Sequence, residues 1–372
     1  MTAAWFEDLL LESMTRVALI LLSSLLGFIG LEAAVFRSGL YIIISDPSST
    51  TGYLETILHN EAIRKKVGPN QVLGIGDSRM MLVARVANEL TPETGYDYGT
   101  ISVAGTTPRC WYYMLRGADP DANRYRAIVI GVDTFDDQEF WENSANRESD
   151  LNYVIGQLGY GDIAEFSGSF PDPALRSRAQ RAILLKGLLL KRDFQEMLRH
   201  PRARLHDALQ SWRDSHIWIY DFQGPTKNMV GLEVDFARRT LKPPPGADAG
   251  LEASLKDYLL QAFPPYEGRH SAYLKLWYGR IYDHYRDSAT KLIFLRLPRG
   301  PRVRPDFSPI KPDSSVRLLA REKNVALLPD DFSNEFEVPE LFQDQMHLNR
   351  DGTQRFTTKL VREIPKIVGP PQ

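Results

Sequence analysis

The sequence predicts an α/β fold in which a five-stranded parallel sheet carries helices on both faces, giving three α/β/α layers. Short apolar runs rich in β-branched residues recur along the chain, and helical patterns separate the first three of them. Strands that alternate with helices in this way are typical of parallel sheets with right-handed crossovers. The runs predicted as strands lie at residues 72–75, 96–103, 127–132, 291–298 and 325–328.

The first element is an apolar segment near the N-terminus. Residues 17–31 carry no charge, and residues 33–36 extend the run past Glu32 to about 20 residues, which is enough to span a bilayer. We predict one transmembrane helix within an anchoring segment, residues 1–37. A cleaved signal peptide is less favoured because acidic residues precede the run where a basic cluster is expected. A buried core helix stays open as an alternative, because Glu32 is costly in lipid unless it lies at the interface or has a partner.

A connector and a lead-in helix at residues 53–66 are predicted within residues 38–69. The strands then assign residues 70–135 and 290–372 to one α/β domain, which ends in a helix predicted over residues 353–368. Single arginines on the two sides of the apolar run leave the orientation in the membrane undecided by charge.

Residues 136–289 interrupt the strand series and are predicted as a mostly helical insertion between the third and fourth strands. Such an insertion leaves the sheet at its carboxyl edge, where it can form a lid or a substrate groove. Aromatic residues such as Trp218 and Tyr220 can stack on sugar rings, although packing in a core is the commoner role. The predicted helices lie at residues 173–198, 204–212, 251–263 and 271–285, and residues 243–246 are predicted as a loop.

Composition excludes several classes of function. The 45 basic and 47 acidic residues nearly balance, so nucleic acid is not expected as a partner. Cys110 is the only cysteine, which rules out an intrachain disulfide and a site with several thiolates. The histidine spacing matches no metal motif, and neither a P-loop nor a complete dinucleotide fingerprint occurs. We therefore predict neither a metal nor a cofactor.

The stretch Gly76-Asp77-Ser78 follows the first strand and precedes a helical pattern over residues 80–90. A serine in this position lies at the carboxyl edge of the sheet, where open α/β folds bind their ligands. Two roles fit this stretch equally well. Asp77 or Ser78 caps the helix, or the Ser78 hydroxyl is a nucleophile beside the free N–H groups of the first turn.

A second stretch, Asp344-x-x-His347, precedes the C-terminal helix. A serine hydroxyl is a weak nucleophile until a base takes its proton, and a third group must hold that base in the right tautomer. His347 can supply the base and Asp344 the orienting carboxylate, because a spacing of three allows the carboxylate to reach the ring. A single D-x-x-H motif is common by chance. It indicates a catalytic role here because Ser78, Asp344 and His347 occur in the order serine, aspartate, histidine.

These two stretches resemble the nucleophile and acid–base motifs of the SGNH hydrolase family, the GDSL-like hydrolases and acyltransferases. Weaker matches lie at Gly105 and at residues 131–133, and the resemblance covers roughly residues 70–135 and 290–365. It implies an SGNH-like three-layer fold and a catalytic triad of Ser78, His347 and Asp344.

In that family the oxyanion hole is formed by the N–H of the nucleophile, a glycine N–H and an asparagine side chain. By position, the resemblance assigns these roles to Ser78, Gly105 and Asp133. Asp133 departs from the pattern, because an ionised carboxylate donates no hydrogen bond and repels a developing oxyanion. Either Asp133 is protonated, or another donor replaces it, or the chemistry is altered or lost.

The resemblance implies acyl transfer through an acyl-serine intermediate. Anchored members of the family, such as proteins of alginate acetylation and teichoic-acid D-alanylation, work beside a multi-pass membrane-bound O-acyltransferase. With the predicted anchor in lipid, this implies an O-acyltransferase of the bacterial inner membrane that acetylates a polysaccharide, with its main domain in the periplasm. A membrane-tethered esterase for carbohydrate or lipid shares the same triad. A catalytically inactive accessory subunit of a membrane complex is the alternative of a different class.

Overall fold

The computed structural model describes residues 3–63, 69–81, 83–137, 144–213, 228–260, 268–304 and 311–372. The aromatic residues Trp218 and Tyr220 lie outside these ranges, as do residues 64–66 and 261–263 at the ends of two predicted helices.

Five parallel strands form one sheet in the order β2-β1-β3-β6-β7, which confirms the predicted α/β class and all five strands. A separate antiparallel hairpin pairs β4 with β5. In chain order the strands are β1 (Gln71–Ile75), β2 (Asp97–Thr100), β3 (Ala127–Val132), β4 (Glu233–Asp235), β5 (Thr240–Lys242), β6 (Lys291–Arg296) and β7 (Val325–Leu327). Because β1 lies between β2 and β3, the strand order reverses there, and open sheets bind ligands beyond the carboxyl ends of strands at such a point.

Helices cover both faces of this sheet. In chain order they are α1 (Ala3–Phe36), α2 (Thr50–Ile63), α3 (Val83–Glu89), α4 (Thr91–Thr94), α5 (Pro108–Ala118), α6 (Ser149–Val154), α7 (Pro173–Leu184), α8 (Gly187–Arg199), α9 (Pro201–Arg213), α10 (Ala249–Leu259), α11 (Gly268–Tyr285), α12 (Ser315–Leu319) and α13 (Arg350–Val368). Leu73 and Ile75 of β1 join a core with residues of α2, α5 and α11. Val72 joins a second core with residues of α3, α10 and α13. This alternation follows the two-residue period of a strand and confirms three layers.

The segment between β3 and β6 contributes to the core of the sheet. Trp277, Ile281 and Tyr285 of α11 are fully buried, and α11 packs against α5 and α12. This helix therefore covers the sheet on the crossover from β3 to β6. A fully buried side chain of this size contributes on the order of 2 kcal/mol or more to stability.

Two details of the predicted insertion were wrong. The hairpin of β4 and β5 occurs where only helices and loops were predicted. It was missed because each strand has three residues with one apolar side chain, which is too short to show a period. The helix predicted over residues 173–198 is broken at Leu185, whose ψ of 88° is not helical. The Arg37 guanidinium donates hydrogen bonds to the carbonyls of Ile183 and Leu184, so a tertiary contact satisfies the end of α7.

Helix α1 is long and apolar enough to cross a membrane. Its apolar part, Ser13–Phe36, has a mean hydropathy of 2.2 and is only 11% buried. A core helix would be mostly buried, so that alternative is wrong. The exposed surface of α1 is made of large apolar side chains such as Leu22, Leu26 and Phe28, which suits contact with lipid.

The C-terminal end of α1 contacts the connector and the segment between β3 and β6. The Phe36 ring packs edge-on against Tyr41 and Phe194, with ring centroids 5.1 and 5.3 Å away. Glu32 is buried, lies 3.5 Å from the Arg37 guanidinium and accepts a hydrogen bond from the Gly187 amide. Glu32 therefore has partners from the protein, which removes the objection to an acidic residue at the end of a membrane helix.

Candidate active site

Ser78 follows β1 directly, in a 3-10 turn that covers Ser78–Met80. Asp77 caps this turn, because its carboxylate accepts the Arg79 amide at 2.9 Å. Gly76 lets the chain pass close to Met80, since a Cβ at residue 76 would lie 2.7 Å from the Met80 Cγ. The capping role open to Ser78 is thus taken by Asp77, and the half-buried Ser78 hydroxyl points elsewhere.

The partner of the Ser78 hydroxyl is His347. Ser78 Oγ lies 2.7 Å from His347 Nε2, although the two residues are 269 positions apart in the chain. On the other side of the ring, His347 Nδ1 lies 2.8 Å from Asp344 Oδ2. The three side chains therefore form one continuous line of hydrogen bonds in the order serine, imidazole, carboxylate. A proton on Nδ1 that faces the carboxylate leaves Nε2 free to accept the serine proton.

Backbone contacts on both sides of His347 fix its position. Leu348 forms an isolated bridge with Phe342, and the Gln343 amide donates to the His347 carbonyl at 2.9 Å. Asn349 caps α13 by accepting the Gly352 amide, and its own amide group donates to the Glu340 carbonyl at 2.7 Å. The imidazole is thus held at the start of a helix whose apolar face packs on the sheet.

The Asp344 carboxylate is arranged to stay ionised. It accepts hydrogen bonds from the Met346 amide at 2.9 Å and from the His347 amide at 2.7 Å. Burial by itself would raise the pKa of Asp344, but the His347 ring and these two amides outweigh burial and lower the pKa. An ionised Asp344 can accept the Nδ1 proton of His347 as a hydrogen bond and so orient the ring.

Asp133, the residue that departs from the family pattern, is paired with Arg79. Arg79 Nη2 forms short ion pairs with Asp133 and with Asp77, the latter at 2.7 Å. Only 8% of the Arg79 side chain is exposed. Burial alone would lower the pKa of Arg79, but the two carboxylates outweigh burial and raise it, so the guanidinium stays charged.

Two of the residues at this site were missed in the sequence. Arg79 directly follows Ser78, and pairing it with Asp133 requires knowing that β1 and β3 are neighbours in the sheet. Tyr258 of α10 reaches the same cluster, where Arg79, Asp133 and Asp77 act on its hydroxyl and its pKa is raised mainly by burial. The Tyr258 hydroxyl donates to the Arg299 carbonyl at 2.9 Å, so the predicted insertion supplies a side chain next to the site.

Gly105 lies in a turn after β2 with a φ of +70°, a conformation that favours glycine. A Cβ there would lie 3.1 Å from the Arg147 guanidinium. The following residue, Thr106, donates its hydroxyl to the Gly76 carbonyl at 3.3 Å, which ties the turn to the end of β1. Gly105 is thus near the nucleophile turn, but it is not among the residues that line the depression at Ser78.

That depression has a volume of about 20 Å³, close to the space that one water molecule needs. Among the described residues its lining comes from the turn at Ser78 and from the C-terminal segment, and it comprises Ser78, Arg79, Pro298, Met346, His347, Leu348, Thr353 and Phe356. A reacting acyl group must therefore be small or must extend out of the depression.

The chain matches no protein-family model and no curated protein. The chemistry of the site must therefore be argued from its own geometry. Within the described ranges, no three His, Cys, Asp or Glu side chains gather as a metal site would require. A serine, an imidazole and a carboxylate joined in this order activate hydroxyl nucleophiles on several unrelated folds.

The lowered pKa of Asp344 predicts an effect of pH on stability. The folded protein holds this proton less tightly than the unfolded chain, whose aspartate has a pKa of about 3.9. The stability that Asp344 contributes is therefore present above the unfolded pKa and is lost as the pH falls through the folded pKa. We expect the fall in melting temperature between about pH 5 and pH 3 to be shallower in Asp344→Asn than in the wild type.

Asp257→Asn is the control, because Asp257 is exposed on α10. We expect this variant to follow the wild-type curve throughout. An Asp344→Asn curve parallel to the wild type across the acid range would contradict the account of the carboxylate.

Proposed function

We propose that this protein is a membrane-anchored acyltransferase that works through a covalent acyl-serine, as the resemblance to SGNH hydrolases implies. The observation that carries the proposal is the line of hydrogen bonds from Ser78 through His347 to Asp344, at 2.7 and 2.8 Å. An imidazole that a half-buried carboxylate orients can take the proton of the hydroxyl, which increases the nucleophilicity of the serine.

In the proposed reaction, Ser78 Oγ attacks the acyl carbonyl carbon while His347 Nε2 accepts the hydroxyl proton. The carbonyl electrons move to the oxygen, which becomes the oxyanion. When they return, the bond to the leaving group breaks, and the leaving group takes the proton from His347. An acceptor hydroxyl then gives its proton to His347 and attacks the acyl-serine, and the same steps release the product and restore Ser78.

Stabilisation of the oxyanion is the step for which this site departs from the family. The carboxylate of Asp133 cannot donate, but Arg79 lines the same depression as Ser78 and keeps its positive charge. We assign Arg79 the role that an asparagine has in the family, beside the Ser78 and Gly105 amides. In this proposal Asp77 is the positioning residue, because its carboxylate accepts hydrogen bonds from both Nε and Nη2 of Arg79.

We infer the class of acyl group from the size of the depression and the class of acceptor from the membrane-spanning length of α1. A depression of about 20 Å³ favours a short acyl group such as acetyl over a long chain. An anchor in the membrane favours an acceptor made at the membrane, and a polysaccharide hydroxyl at the outer surface of a bacterial inner membrane fits this proposal. A multi-pass membrane-bound O-acyltransferase is the partner that would deliver the acyl group. Transfer to water would make the protein an esterase, with the same residues in the same roles.

The nucleophile is tested with a fluorophosphonate probe, which labels activated serines. We expect the full-length protein in detergent to be labelled and Ser78→Ala to remain unlabelled. The labelling of His347→Ala should be slower than that of the wild type by about 10³-fold or more, because the hydroxyl then lacks its base. Ser48→Ala is the control, since this serine is exposed on the connector. An unlabelled but folded wild type would favour the inactive accessory subunit.

The role of Arg79 predicts opposite results for two neighbouring substitutions. Asp133→Asn leaves Arg79 paired with Asp77 and removes a negative charge that repels the oxyanion, so labelling should be as fast as in the wild type or faster. Arg79→Met should slow labelling by about 10²- to 10³-fold, the usual loss for one oxyanion donor. The measurement is the second-order rate constant for reaction with the probe.

Arg85→Met is the matched control, because Arg85 is exposed on the neighbouring α3. Arg79→Met leaves two carboxylates without their cation, so its melting temperature is measured as well. Arg79→Lys keeps the positive charge but lacks the planar guanidinium, and it therefore tests the contribution of the charge alone. A tenfold fall in labelling for a folded Asp133→Asn would contradict the assignment of Arg79.

A further inference from the structure

A second cavity lies where α1 ends, away from Ser78. It has a volume of about 330 Å³, within the range of small-molecule sites. Its wall combines the end of the membrane helix with three elements of the domain, and the residues that matter here are Phe36, Arg37, Glu55, His59, Gln157 and Lys186. The cavity therefore lies at the level where a membrane-spanning α1 would leave the lipid.

Lys186 is the most buried cation of this cavity, with 3% of its surface exposed. Its ammonium donates one hydrogen bond, to the Gly156 carbonyl at 2.9 Å, although an ammonium has three donors. Burial first, and the nearby Arg37 second, lower the pKa of Lys186 to about 8. Glu32 already offsets the charge of Arg37, from which it lies 3.5 Å away. An anion bound in the cavity would therefore be stabilised mainly by Lys186.

Glu55 is the carboxyl group that faces this cavity. Both of its oxygens lie within hydrogen-bond distance of the Gln157 amide, at 2.9 and 2.7 Å. Burial raises the pKa of Glu55 to about 7, so the carboxyl is partly protonated near neutral pH. Its negative charge therefore offsets Lys186 and Arg37 only in part.

Apolar side chains continue from α1 to the mouth of the cavity. Leu40 in the connector is 71% exposed, and Leu188 at the start of α8 is 60% exposed. Ile43, which lines the cavity, is 38% exposed. A ligand with a polar anionic end and an apolar remainder would place its charge beside Lys186 and its apolar part along α1.

We propose that this cavity binds the phosphate of a membrane phospholipid, with Lys186 as its main contact and the acyl chains along α1. Anionic lipid headgroups are attracted to basic groups at the membrane surface, and a buried ammonium adds a charge-assisted hydrogen bond. This site rests on α1 spanning a membrane. It does not depend on the chemistry of Ser78.

The test uses the full chain in detergent, stripped of lipid and then titrated with phosphatidylglycerol or with a diacylglycerol of the same acyl chains. Bound lipid is counted by native mass spectrometry. We expect phosphatidylglycerol to bind at least about tenfold more tightly than diacylglycerol, and Lys186→Met to abolish that preference. Lys186→Arg should retain it, and Glu55→Gln should keep or increase it because a competing negative charge is removed.

Lys191→Met is the control, since Lys191 is exposed on α8, the helix that begins directly after Lys186. A preference for phosphatidylglycerol that is unchanged in Lys186→Met, or equal binding of both lipids by the wild type, would overturn the proposal. Release of the lipid by millimolar inorganic phosphate, with phosphate then retained, would identify a site for free phosphate and overturn the lipid assignment. Fluorophosphonate labelling of Ser78 is measured on the same samples, so that a loss of lipid binding is distinguished from unfolding or a failed active site.

Discussion

The hydrogen bond between Ser78 Oγ and His347 Nε2 depends on two well-packed parts of the fold. Ser78 follows β1, which has a strand on each side, and His347 precedes α13, whose buried face includes Phe356 and Leu360. Helix α13 also packs against α3, which follows the Ser78 turn. The serine and the imidazole are thus fixed on neighbouring elements, and the 2.7 Å contact between them is a property of the whole domain.

The charges around Ser78 impose a second constraint. One guanidinium, Arg79, lies between two carboxylates, Asp77 and Asp133, so this cluster carries one net negative charge when all three are ionised. Burial alone would raise the pKa of Asp77, but Arg79 and the charge on His347 outweigh burial and lower that pKa, and an ionised Asp77 opposes a negative oxyanion. The proposed chemistry therefore needs donors close to the reacting carbonyl, and among the described residues Arg79 lines the same depression as Ser78.

Much of the fold follows from local patterns in the sequence. The strand of Ala127–Val132 is a continuous run without polar side chains in which four of six residues are β-branched, as expected for a strand buried on both faces. Helix α1 is evident from its apolar length. The break between α7 and α8 was missed because the apolar pattern continues across it, and the Arg37 guanidinium that donates to the carbonyls at the end of α7 lies 146 and 147 positions away in the chain. The hairpin of β4 and β5 was missed because three-residue strands have too few side chains to show a period.

One part of the candidate site could be predicted from the sequence and another part could not. The two motifs, their order in the chain and their resemblance to a known family predicted that Ser78, Asp344 and His347 meet. The partner of Asp133 required knowing that β1 and β3 are adjacent. Opposite charges just after two strands of one parallel sheet were a usable signal, because the carboxyl ends of such strands share one edge.

The most direct measurement is the intact mass of the protein after brief reaction with an activated acetyl ester and quenching in acid. The account predicts that one acetyl group is added to the wild type, that peptide mapping places it on Ser78, and that Ser78→Ala acquires none. An acetyl group added equally to Ser78→Ala, or none added to a folded wild type, would contradict an acyl-serine mechanism.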